Sequence, residues 1–141
     1  MVQEFVRLEQ PEVYRLYCVG GELFGWNARR YPPGVKASPW VAHAQGARYV
    51  HLGTPTDAAA AGATAALKAA GLFGSFGIVD LLPHQNRWLV LEVGTDGLFN
   101  HVDRDFDNPS LAQELDRRLA EAFWKPIGYQ PWGAGPWHPQ T

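Results

Sequence analysis

At 141 residues, with 46% hydrophobic and 18% charged side chains, the chain has the size and composition of one ordinary globular domain with a real core. A net charge of −2 gives no electrostatic footprint for nucleic acid or an anionic membrane, and a single cysteine, Cys18, excludes an internal disulfide and a cysteine-based zinc site. No signal peptide and no bilayer-length apolar run are readable, so the expected location is a reducing cytoplasm.

In chain order, Val2 to Val6 reads as a short strand. Val13 to Val19 and Glu22 to Ala28 form a hairpin around Gly20-Gly21, a two-residue turn of the kind that favours glycine. Pairing across that turn sets Arg15 opposite Trp26 and Tyr17 opposite Phe24. Arg29 and Arg30 follow at the strand end, where guanidinium groups grip phosphate or carboxylate; a solvated strand terminus explains them as well. Tyr31 to Gly46, with Pro32, Pro33, Gly34 and Pro39, is irregular, and Ala47 to Leu52 is a further strand. Thr54-Pro55-Thr56-Asp57 is a helix start, with a threonine cap, a proline in the first turn and an early acid. The alanine-rich helix runs to about Ala70, and Gly71 stops it.

Phe76 to Gly94 is a second hairpin, two strands dense in branched and aromatic residues around Pro83, His84, Gln85 and Asn86. A loop of odd length keeps Val79 and Leu81 on one face with Leu89, Leu91 and Val93; an even loop moves Asp80 onto that face. The hydrophobic pattern therefore predicts the odd loop. It also puts Asp80 and Glu92 together on the other face, with Asp80 opposite Val90 and Glu92 a diagonal neighbour within reach of a shared cation. Spacing alone favours the wetter face of a half-buried sheet over a cation site.

The segment Thr95 to Asp107 alternates Asp103, Asp105 and Asp107 after His101, but it lacks the glycine and terminal glutamate of an EF-hand loop. Asn108-Pro109 opens a second helix, with Leu111, Leu115, Leu119, Ala122 and Phe123 as its core stripe and Glu114, Asp116, Arg117, Arg118 and Glu121 on its wet side. Residues 125–141 form a tail bearing Tyr129, Trp132 and Trp137 among four prolines, and part of it is expected to dock on a surface groove. The expected organisation is one domain over 1–124 followed by this tail. Its fold class is α+β, a mainly antiparallel sheet with two packed helices.

The ordered segments VQEFV, EVYRLYCVGGELFGWNARR, a helix, then FGIVDLL and RWLVLEVG resemble the C-terminal lobe of the ATP-grasp family. The resemblance spans roughly Gln3 to Gly97. It implies that the first strand, around Glu4, forms the hinge over an adenine, that Arg15 with Arg29 or Arg30 contacts phosphate or an acyl phosphate, and that Asp80 and Glu92 hold Mg²⁺. Gly94 stands where the family's metal motif has asparagine, and the family's preceding nucleotide-covering domains are expected to be missing. The expected function is therefore a non-catalytic accessory protein, similar in kind to the ATP-grasp-derived peptide-binding proteins of ribosomal-peptide pathways of the crocagin type. Such a protein binds a precursor peptide, with Tyr17, Phe24, Trp26, Trp88, Trp132 and Trp137 as the candidate contacts. No cofactor is expected, and ATP and Mg²⁺ would bind only where the inherited site survives. One half of a split ATP-grasp ligase, or a structural dimerisation domain, are the alternatives, and a homodimer is expected under each.

Overall fold

A computed structural model describes residues 4–8, 10–95 and 109–124. Five strands, β1 (Val13–Val19), β2 (Glu22–Arg30), β3 (Arg48–Gly53), β4 (Phe76–His84) and β5 (Arg87–Gly94), form one antiparallel sheet in the order β3-β2-β1-β4-β5. Helix α1 (Asp57–Ala69) joins β3 to β4, and α2 (Pro109–Trp124) follows β5. The fold is α+β, an antiparallel sheet with two helices. Among the described residues no helix is long and apolar enough to cross a membrane. Residues 96–108, and residues 125–141 with Trp132 and Trp137, lie outside the described residues.

One sheet face buries Leu16, Cys18, Trp26, Val79 and Leu81 against Ala59, Ala63 and Leu67 of α1. Small residues at three- and four-residue spacing let the helix approach closely, and Gly77 of β4 completes the fit. A Cβ there would lie 2.6 Å from Leu67 Cδ2. The helix starts at Thr56, whose hydroxyl accepts from the Ala59 amide at 3.2 Å; Pro55 therefore precedes the cap instead of entering the first turn. It ends as the sequence predicts, with Gly71 N–H donating to Lys68 O and Leu72 N–H to Leu67 O, the paired bonds of a Schellman cap.

The opposite face carries two apolar clusters. Tyr17, Val19, Phe24, Tyr49 and Ile78 pack together, with Leu119 of α2 on top of them. Val13, Val41, Ala47 and Leu82 pack beside Val6, Leu8, Tyr31 and Leu89. The expected first strand is corrected here: Glu4 to Val6 join no sheet. The alternation that suggested a strand is real, since Val6 and Leu8 are half-buried while Phe5 and Arg7 are exposed, but the segment uses it to anchor on the second cluster.

Candidate functional site

Between the two apolar clusters a row of polar side chains crosses the whole sheet. His51 of β3 pairs with Asn27 of β2, Asn27 with Arg15 of β1, Arg15 with Asp80 of β4, and Asp80 with Glu92 of β5. Cross-strand partners share a face, so all five side chains belong to one side of the sheet.

Two β-bulges build this row. The Gly20-Gly21 turn sets Tyr17 opposite Phe24, and regular pairing would continue to Arg15 opposite Trp26. Instead β2 carries an extra residue at Gly25-Trp26, which brings Asn27 opposite Arg15 and turns Trp26 to the α1 face. Gly25 sits at φ +66°, the left-handed conformation a bulge of this type requires. The second hairpin repeats the device. Gln85 and Asn86, both at positive φ, make a two-residue turn with His84 opposite Arg87, so the predicted odd loop is replaced by an even one. Leu91 is then the extra residue of β5, and Asp80 faces Glu92 directly instead of Val90. The even loop alone would have set Asp80 opposite Leu91; the bulge brings the two acids face to face, but between the bulge and the turn the expected faces are exchanged, with Leu89 on the side of Leu82 and Asp80 and Trp88 and Val90 on the side of Leu81. A third irregularity, at Leu52, adjoins the row in β3. Gly25→Ala forces a side chain into the left-handed region, and the expected loss is about 1–2 kcal/mol, read as a lower urea midpoint.

Arg15 and Asp80 are the centre of the row and are 9% and 1% exposed. Arg15 Nε donates to Asp80 Oδ1 at 2.6 Å and Nη2 to Oδ2 at 2.9 Å, a fork that engages both carboxylate oxygens. Arg29 Nη2 approaches Oδ2 at 3.5 Å, and its Nη1 donates to the Tyr49 hydroxyl at 3.4 Å. Both guanidiniums also stand 5.8 Å from the centre of the Tyr49 ring, within cation–π range. Burial disfavours the Arg15 cation, but the hydrogen bonds and charge of Asp80 outweigh it and raise its pKa. Burial pushes the Tyr17 phenol up to about 12. At the end of the row His51 Nδ1 lies 3.2 Å from Asn27 Oδ1, and the Asn27 side-chain amide nitrogen is buried without an acceptor among the described residues.

Burial also lowers the His51 pKa. The unfolded chain therefore takes up a proton near the ordinary value of 6.5 while the folded protein resists it, so stability is lost as pH falls below that value. His51→Gln is expected to flatten the dependence of the thermal midpoint on pH between neutrality and about pH 5. An unchanged slope would assign the acid sensitivity to other groups.

The structure sorts the sequence candidates. Arg15, Arg29, Asp80 and Glu92 come together, with Glu92 exposed at the edge. Arg30 is separated from its neighbour Arg29: its Nε lies 3.1 Å from Glu12, which also accepts from the Tyr14 hydroxyl at 2.6 Å. Burial and that bond push the Tyr14 phenol up to about 12. Glu4 is exposed on the N-terminal segment. Of the expected peptide contacts, Tyr17, Phe24 and Trp26 are 0, 7 and 4% exposed and belong to the two cores. Trp88, the remaining candidate among the described residues, is half-buried on β5 and edge-on to Tyr14 and Trp26. Asn27, Tyr49 and His51 were not singled out from the sequence; the signal was Gly25 inside a strand, which marks a bulge and hence a shift in every residue beyond it. Among the described residues no group of three or more His, Cys, Asp or Glu side chains is placed to hold a metal ion.

No known protein family matches the chain, and no curated protein matches it.

Proposed function

We propose that the chain is a non-catalytic binding module that takes an extended peptide as an added strand at an open edge of its sheet. In the narrower form of this reading it is an ATP-grasp-like accessory protein of the cytoplasm that binds the precursor of a ribosomally made, modified peptide. The observation that carries the proposal is the closed state of Asp80. Both of its oxygens accept from Arg15 at 2.6 and 2.9 Å, so the acid serves as an internal anchor for the sheet. Mg²⁺ would need those oxygens at about 2.0–2.1 Å in near-octahedral geometry, and it would have to displace a buried guanidinium to reach them. What the fold does offer a partner is backbone. Among the described residues strands β3 and β5 end the sheet, and Val50, Val90 and Leu91 stand exposed on them. An unpaired edge recruits extended chains through main-chain hydrogen bonds, with alternate side chains supplying selectivity.

Calorimetric titration tests the reading, with ATP plus Mg²⁺ in one series and candidate precursor peptides in the other. The expected result is heat from a peptide and none from the nucleotide. Mg²⁺-dependent nucleotide heat would overturn the reading and favour one half of a split ligase. Two copies pairing edge to edge would compete with the peptide, so its apparent affinity should fall as protein concentration rises if the dimer forms.

A further inference from the structure

Glu92 ends the polar row in an unfavourable place. It stands directly opposite Asp80, carboxylate against carboxylate, and Asp80 already spends both oxygens on Arg15. Like charges opposed in this way repel. Glu92 is exposed and makes no ion pair with a described residue, and the same holds for Arg87 at the other end of β5. Both project from one side of the sheet, since Arg87 faces His84, Leu89 faces Leu82 and Glu92 faces Asp80; Trp88 and Val90 project from the other, towards α1.

The backbone of β5 is open as well. Gln85 and Asn86, both at positive φ, form a turn in which the His84 carbonyl accepts from the Arg87 amide. Alternation then directs the backbone groups of Arg87 and Leu89 to β4 and those of Trp88 and Val90 away from it. Among the described residues nothing pairs with that outer side.

We infer that a second copy of the chain pairs with this edge, β5 antiparallel to β5 about a two-fold axis through Leu89. In that register Leu89 opposes its own counterpart, Trp88 opposes Val90 of the second copy, and Glu92 opposes Arg87 of the second copy, the last two pairs each occurring twice. Trp88 and Val90 thereby exchange the hydrogen bonds they do not make to β4, an indole covers an exposed valine, and the stranded acid gains a cation. A mid-strand bulge ordinarily discourages pairing at an edge, but here it sets the match. Leu91 is the extra residue against β4 and is extra again against the second copy; without it Glu92 would fall opposite Asn86 in the turn. The polar row then continues across the axis, and α1 of each copy lies on the same face of one joined sheet. The inference does not rest on the peptide reading: a peptide would compete with the second copy at β5 and find β3 still open.

Sedimentation velocity of the full chain, from low to high micromolar concentration, tests it. The expected result is a reversible dimer that weakens with salt. Arg87→Glu and Glu92→Arg each set like charges opposite one another at both symmetric contacts, and each is expected to raise the dissociation constant about tenfold or more, while the double charge swap restores the dimer. Leu89→Cys, on the axis, is expected to form a disulfide between copies under oxidising conditions, since partners in a non-hydrogen-bonded pair lie about 4.5 Å apart between Cα atoms. Val90→Cys, whose counterpart lies two positions along, is expected to stay reduced, and the buried Cys18 takes no part. A monomer at every concentration, a dimer indifferent to both single swaps, a double swap that stays dissociated, or cross-linking of Val90→Cys in place of Leu89→Cys would each overturn the inference. Should a charge variant fold poorly, the two cysteine variants decide the matter alone.

Discussion

Asp80→Asn is expected to destabilise the protein by about 3–5 kcal/mol, because it strands a buried guanidinium without its counter-charge. For a domain of this size that is a fall of roughly 10–15 °C in the thermal midpoint. Arg15 is the residue left exposed to the loss: it is 9% exposed, and both of its hydrogen bonds in the row go to Asp80. Arg29 cannot replace the carboxylate, being itself a cation 3.5 Å from the same oxygen. The double variant Arg15→Met with Asp80→Leu is expected to recover most of the loss, since apolar groups of similar size fill the space without a desolvation cost. Urea titration of the three proteins measures the cycle. If Asp80→Asn proved neutral to within about 1 kcal/mol, the pair would not be an anchor, and the case for Asp80 as a ligand site would reopen.

Trp26→Ala is expected to cost a similar amount, about 3–5 kcal/mol, for a different reason. The indole is 4% exposed, stacked on Tyr14 at 5.1 Å and edge-on to Trp88 at 5.5 Å, and it fills the space between the sheet and α1 beside Leu16 and Ala59. Its removal leaves a cavity that the neighbours cannot close, because two of them are rings held by one another. Trp88→Ala, at a half-buried position on the edge strand, should cost about half as much. Chemical denaturation separates the two, and a Trp26→Ala protein of unchanged stability that failed to bind peptide would return Trp26 to the list of contacts.

The sequence carried the elements better than it carried their alignment. The Gly20-Gly21 turn, the alanine-rich helix with its Gly71 stop and the Pro109 helix start all lie where local chemistry puts them, since each depends on residues within a few positions of itself. Asp80 and Glu92 were placed on a common face correctly, although by an odd loop that does not exist. The premise of that placement did not survive with it, since Leu89 packs on the acids' face, Trp88 on the other, and Leu91 is exposed as the extra residue of the bulge that brings the two acids together. Arg15 opposite Trp26 did not survive, because nothing in a hydrophobic pattern announces a one-residue bulge except an unexplained glycine in a strand. The burial of Tyr17, Phe24 and Trp26 was equally hidden: an aromatic hairpin reads the same whether it awaits a ligand or a core. Arg29 and Arg30 show the same limit at single-residue scale, since adjacent strand positions face opposite ways and find different acids.

The bulges also bear on how this chain tolerates changes in length. Counting back from each turn, regular pairing would reach the same partners if the spare residue were gone: without one residue at Gly25 the asparagine still meets Arg15, and without Leu91 the glutamate still meets Asp80. Each hairpin thus holds one position at which a codon can be lost without inverting the strand beyond it. A loss inside the uninterrupted run from Arg48 to His51 has no such slack, and it would exchange the inward and outward sets of the edge strand at a stroke.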